Sequence, residues 1–118
     1  MNASNKPQKL RNNQQFRKVY DQGLRYHTPF FSAFILKTDD DNRRIGITVT
    51  RKVGGAVVRN RCKRRLREIV RKYRSEQTNS VGFDLVINAK ANLAAADFKQ
   101  IEGAFARMMA RFHESLLR

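Results

Sequence analysis

Apolar residues recur along the chain with two periods, and each switch between them marks an element. From about Asn12 to Gln22 the apolar positions Phe16, Val19 and Tyr20 fall at i, i+3 and i+4, one narrow helical stripe. Asn12 can cap this helix with Gln15 three positions on, and Gly23 supplies its stop. Residues 24–37 are extended, interrupted at Pro29, and nearly all apolar from Phe30 to Leu36. Phe30, Phe34 and Leu36 alternate with Phe31, Ala33 and Ile35, so both faces of this strand meet apolar partners. Arg44 to Thr50 alternates cleanly instead. Ile45, Ile47 and Val49 turn inward, and Gly46, Thr48 and Thr50 form a flatter, polar face.

Between these strands, Asp39, Asp40, Asp41 and Asn42 make an exposed turn, since adjacent carboxylates repel and resist burial. Gly54 and Gly55 lead into a long helix, about Ala56 to Tyr73, whose residues Val58, Cys62, Leu66, Ile69, Val70 and Tyr73 share an arc of about 120°. Arg61, Lys63, Arg64, Arg67, Arg71 and Lys72 occupy the remaining circumference, with Arg59 and Arg65 in or beside the arc. A polar linker at 75–80 precedes a short strand, Phe83 to Ala89. The last helix, about Ala95 to Leu117 with Ala94 as its expected cap, carries Phe98, Ile101, Phe105, Met108, Phe112 and Leu116 as a core-facing stripe. This order predicts an α/β fold, one sheet covered by helices. The helical connection from 44–50 to 83–89 places those strands parallel. The 118 residues make a single domain: a mobile basic arm at 1–9, with Pro7 and no period, and a folded core at about 10–117.

Charge narrows the partner. Lys and Arg number 25 against 10 Asp and Glu, a net of +15, and the excess is segregated. Residues 1–74 hold 20 basic and 5 acidic side chains, residues 75–118 hold 5 of each, and Arg51 to Arg74 alone holds 11 basic residues and one acid, Glu68. Such a surface calls for a polyanion, nucleic acid first and an anionic membrane second. No apolar run approaches 18 residues and the amino terminus lacks a signal-like apolar stretch, so a soluble, cytoplasmic protein is expected.

Catalytic chemistry is sparse. Cys62 is the only cysteine, which excludes a disulfide framework and a cysteine-cluster metal site, and its place on the apolar arc reads as a small buried hydrophobe. His27 and His113 have no partner at ligand spacing, and His113 reads as a surface residue. No catalytic residue, protein-bound metal or cofactor is expected. Gly54 and Gly55 suit a phosphate cradle or a plain structural turn. Asn60, between two arginines, suits a base edge or ribose hydroxyl, or a tie to the helix start. Arginine forks clasp phosphates and stack on bases. Phe16, Tyr20 and Phe34 are either core or an aromatic groove for unpaired nucleotides beside Arg17, Lys18 and Arg25. On these grounds a structural ribosomal or general RNA-binding protein competes with a DNA binder that places 56–73 in the major groove.

The segment from Lys52 to Glu68, KVGGAVVRNRCKRRLRE, resembles the arginine-asparagine-arginine signature of the bacterial ribonuclease P protein component. The likeness extends to Phe16 and Tyr20, to Arg44-Ile45-Gly46-Ile47-Thr48-Val49, and to Asp84-Leu85-Val86-Ile87 with the final helix, about residues 10–114 in all. It implies that family's α/β sandwich, akin to the second domain of a small-subunit ribosomal protein, with a left-handed crossover where the general rule gives a right-handed one. It implies a monomeric, non-catalytic subunit of a ribonucleoprotein whose RNA, with magnesium, removes the 5′ leader of precursor transfer RNA. Catalytic-RNA contact is carried over onto Lys52, Arg59, Asn60, Arg61, Lys63, Arg64, Arg65 and Arg67. Leader contact falls on Phe16, Tyr20 and Phe34, with Arg17 and Lys18 beside them. Two positions depart from the family pattern: Phe34 keeps a ring without a hydroxyl, and Ala94 stands where Ser or Thr would cap the last helix.

Overall fold

Phe31, Ala33 and Ile35 leave their strand on one side and Phe34 and Leu36 on the other, and each set lies in a different apolar cluster. The sheet therefore has two covered faces, which organises the whole molecule. A computed structural model describes residues 8–76 and 81–117. In chain order the elements are β1 (Gln8–Lys9), α1 (Asn13–Gln22), β2 (Leu24–His27), β3 (Phe31–Lys37), β4 (Arg43–Thr48), α2 (Ala56–Glu76), β5 (Phe83–Ala89), a 3-10 turn (Ala91–Ala95) and α3 (Phe98–Ser115).

The five strands lie in the order β1-β4-β5-β3-β2. β4 pairs parallel with β5, with Ile45 opposite Leu85, as the intervening helix requires. β3 pairs antiparallel with β5 and with β2, so the sheet is mixed. α2 and α3 pack on one face, over Phe31, Ala33, Ile35, Ile45, Leu85 and Ile87. α1 packs on the other through Val19, which is fully buried beside Val86. Its removal from water is worth roughly 1.5–3 kcal/mol.

The structure revises several expectations. The described part of the expected arm, Gln8–Lys9, is a strand parallel to β4; residues 1–7 lie outside the described residues. α2 runs on to Glu76, into the expected linker, and residues 77–80 lie outside the description. The last helix is not capped at Ala94. Residues 91–95 form the 3-10 turn, and α3 starts after Asp97, whose N–H donates to Gln100 Oε1 at 3.2 Å. An Asp-x-x-Gln pair is a sound cap for this end of the helix. Gly23 ends α1 in extended geometry, φ −78°, with its N–H on the Val19 carbonyl at 2.8 Å, rather than in a left-handed turn. His113 is half-buried, its Nε2 2.7 Å from the Tyr73 hydroxyl, because α3 turns that flank towards α2.

Candidate nucleic-acid interface

α1 forms where the sequence places its cap: Gln15 N–H donates to Asn12 Oδ1 at 2.9 Å, and Asn12 N–H donates back to Gln15 Oε1 at 3.3 Å. The helix then lays three side chains along the sheet. Phe16 rests on the bare backbone of Gly46, Val19 is buried, and Tyr20 stands edge-on to Phe34 with ring centroids 4.8 Å apart. The Tyr20 hydroxyl donates to Asn88 Oδ1 at 3.0 Å, and the Arg25 guanidinium lies 5.5 Å from the Phe34 centroid. Strand register sets Gly46, Val86, Phe34 and Arg25 in one row across this face and Thr48, Asn88, Ser32 and His27 in the next. The result is an aromatic wall beside a polar floor. Tyr20 remains 38% exposed, a large ring left open to a ligand.

Phe16, Tyr20 and Phe34 are thus brought together, and Arg17 is exposed on the same helix. Lys18 is not with them. Two positions before Tyr20, it points about 160° away around the helix. There it lines a separate polar recess with Gln22, Leu36, Arg44 and Asp84.

α2 presents the second surface, on the opposite face of the sheet. Cys62, Leu66, Ile69 and Val70 are buried, while Lys52, Asn60, Arg61, Arg64 and Arg67 are exposed and Arg59, Lys63 and Arg65 partly so. The arginines divide into two kinds. Arg65 donates to the Ala96 carbonyl at 3.0 Å, and Arg61 to the Ala94 carbonyl at 3.4 Å, which fastens the 3-10 turn onto α2. Arg64 and Arg67, one turn apart, point to solvent. Gly54 enters the helix with φ +155°, and a β-carbon there would stand 2.9 Å from Val58 Cγ1. This explains the first glycine as a turn residue.

The ionisable groups nearby serve the fold. Burial raises the Cys62 thiol pKa despite Arg61 and Arg65, which disfavours a thiolate nucleophile. The Asp40 carboxylate accepts from Thr38 Oγ1, the Asn42 N–H and Asn42 Nδ2, which lowers its pKa. Arg44 Nε donates to Asp84 Oδ1 at 2.7 Å, and this bond holds the guanidinium pKa above its ordinary value. Among the described residues no three His, Cys, Asp or Glu side chains gather to hold a metal ion.

Asn88, Thr48, Ser32 and Gly46 were not singled out as site residues from the sequence. Each is small or polar, and only the register across the three strands β4, β5 and β3 sets them in one cleft.

A mixed sheet with an arginine-rich helix on one face and an aromatic cleft on the other has the surfaces of an RNA-binding protein. The ribonuclease P family profile matches residues 5–113. The chain is 43% identical over 96 residues to the ribonuclease P protein component of Finegoldia magna, covering 81% of this chain and 82% of that protein. It is 32% identical over 106 residues to that of Syntrophomonas wolfei, covering 90% and 87%. The solved ribonuclease P protein from Thermotoga maritima superposes with a TM-score of 0.76 at 29% identity, covering 88% and 96% of the two chains. That from Staphylococcus aureus, at 24% identity and a TM-score of 0.75, shares the fold. The chain belongs to the ribonuclease P protein family. It acts as a non-catalytic subunit that binds RNA and assists cleavage of the precursor transfer RNA leader.

Proposed function

We propose that the two faces of the sheet divide the labour of this subunit. The exposed side of α2, with Arg59, Asn60, Arg61, Lys63, Arg64 and Arg67 and with Lys52 just before it, holds the catalytic RNA, and Arg65 steadies that surface through the Ala96 carbonyl. The cleft made by Phe16, Arg17, Tyr20 and Phe34 takes the unpaired leader, and Lys18, in its separate recess, stands outside it. The observation that carries this reading is the pair Tyr20–Phe34, two rings in contact with one left partly open to solvent above a polar floor. A buried core would have closed over that ring. The protein supplies position and positive charge, and the RNA with its magnesium supplies the chemistry. The family's left-handed crossover and its kinship with a ribosomal-protein domain are carried over to β4-α2-β5, whose two strands pair directly and in parallel. The free chain is taken as a monomer acting in the cytoplasm, where precursor transfer RNA is processed.

The test is reconstitution with purified catalytic RNA and labelled precursor transfer RNA. Holoenzyme carrying the intact chain should bind precursor more tightly than mature transfer RNA, and the preference should vanish when the cleft rings are removed. A preference unchanged by loss of Tyr20 and Phe34 together would refute the cleft assignment.

A further inference from the structure

β2 is an edge strand, bonded to β3 on one side only, and positive charge wraps around it. Arg25 and His27 stand on its cleft face, and Tyr26 on the opposite face, towards α3. Where the end of β2 and its turn meet α3, a cavity of about 190 Å³ opens, with Tyr26, Pro29, Ala104 and Met108 as apolar lining and Arg107 and Arg111 beside them. Both arginines are exposed. No carboxylate lines the cavity, and neither arginine has an ion-pair partner among the described residues. The other flank of α3 is built differently, for there Glu102 neutralises Lys72 at 2.9 Å. Like charges four residues apart on a helix repel, so an uncompensated pair over an apolar cavity suits an anion with a flat apolar part. The cavity is smaller than the 300–1,000 Å³ or so of drug-sized ligand sites, and one planar ring fits it better than a folded ligand.

We propose that Tyr26, Arg107 and Arg111 form a second nucleotide site, which takes the 5′-distal part of a long leader after it leaves the aromatic cleft. The inference rests on the cleft being the leader site. Two observations connect them. The Arg25 guanidinium already lies 5.5 Å from the Phe34 ring. Only β2, one strand spacing of about 4.8 Å, separates β3 from the free edge. A single strand crossing that edge meets Arg25 and His27 first, then the arginine forks, with a base free to enter against Tyr26 and Met108.

The experiment compares precursors with leaders of about 4 and about 16 nucleotides, the range a single-strand groove holds, on holoenzyme reconstituted with the full chain. The double variant R107A/R111A should weaken the long-leader precursor about ten-fold, the scale of one lost stacked base, and leave the short one within two-fold. Its salt slope for the long leader should shrink by about 1.4, or 0.7 for each of two phosphates. R107K/R111K, which keeps the charge, should retain most of the salt slope, and melting temperatures should match the parent. Equal loss for both leaders would place the arginines on the catalytic RNA and overturn the proposal. Loss for neither would do the same, leaving the cavity to a peptide or to solvent. Tyr20→Ala separates the two readings. If it weakens both leaders while R107A/R111A weakens neither, the edge site alone fails; if it weakens neither, the cleft reading fails.

Discussion

Gly46 lies directly under the ring of Phe16: a β-carbon at this position would stand 2.5 Å from both Cε1 and Cζ. The glycine is there for close approach, because it lets the outer end of an aromatic ring reach β4 instead of being held off it. In Gly46→Ala the far end of the Phe16 ring must swing away, at a stability cost of about 1–3 kcal/mol for overpacking. The displaced ring intrudes on the cleft, so precursor affinity should fall while mature transfer RNA affinity holds. Phe16→Leu combined with Gly46→Ala should recover stability, measured by denaturant midpoint, without recovering precursor affinity. Full recovery of both would show that the ring only fills space.

Tyr20 separates packing from binding. Tyr20→Ala should weaken precursor by roughly ten-fold or more, since a stacked base is worth about 1–3 kcal/mol, and hardly alter mature transfer RNA. Because the ring is 38% exposed, the melting temperature should fall by less than the 3–5 kcal/mol of a buried aromatic implies. A steep melting loss with equal damage to both ligands would assign the ring to the core.

The arginines of α2 should split by partner. Arg64→Ala with Arg67→Ala removes two solvent-facing forks and should flatten the salt dependence of catalytic-RNA binding by about one to two units of slope, with an unchanged melting curve. Arg65→Ala removes the bond to the Ala96 carbonyl and should lower stability by about 1.5–3 kcal/mol, as for a charged hydrogen bond. If all three behave alike in both measurements, the division between structural and contacting arginines is wrong.

His113 gives the fold a pH dependence. Burial, reinforced by the Arg43 charge, lowers its pKa in the folded chain, below an unfolded value of about 6.5. The unfolded chain therefore takes up its proton first as pH falls. Stability from this site is complete above about pH 6.5 and is lost as pH drops through the lower, folded pKa. The melting temperature of the parent should decline between pH 7.5 and 5.5. His113→Gln should start lower, having lost the Tyr73 contact, and decline less. Parallel declines would remove His113 as the cause.

Much of this was legible in the order of residues. The period of Phe16, Val19 and Tyr20, the cap at Asn12 with Gln15, and the arc from Val58 to Tyr73 each follow from side chains within one or two turns of each other, so local chemistry alone specifies them. The same holds for the charge segregation, because a segment with 11 basic residues and one acid keeps its charge whatever it packs against. The apolar residues on both sides of β3 required two covered faces before any partner was known. Register was another matter. Asn88 meets Tyr20 across 68 positions of sequence, and Gly46 meets Phe16 across 30, through strands whose alignment no local signal states. The same reason explains the sites that local reading misplaced. Ala94 seemed a cap because apolar spacing blurs over a 3-10 turn that buries Leu93 and is fastened to α2 by Arg61. Lys18 seemed a neighbour of the rings because it is close in sequence, yet a helix turns 100° per residue and the sheet decides which direction is inward. His113 seemed exposed until α2 supplied the hydroxyl of Tyr73. Elements came from spacing along the chain, while the cleft came from strands and helices that only long-range packing could bring side by side.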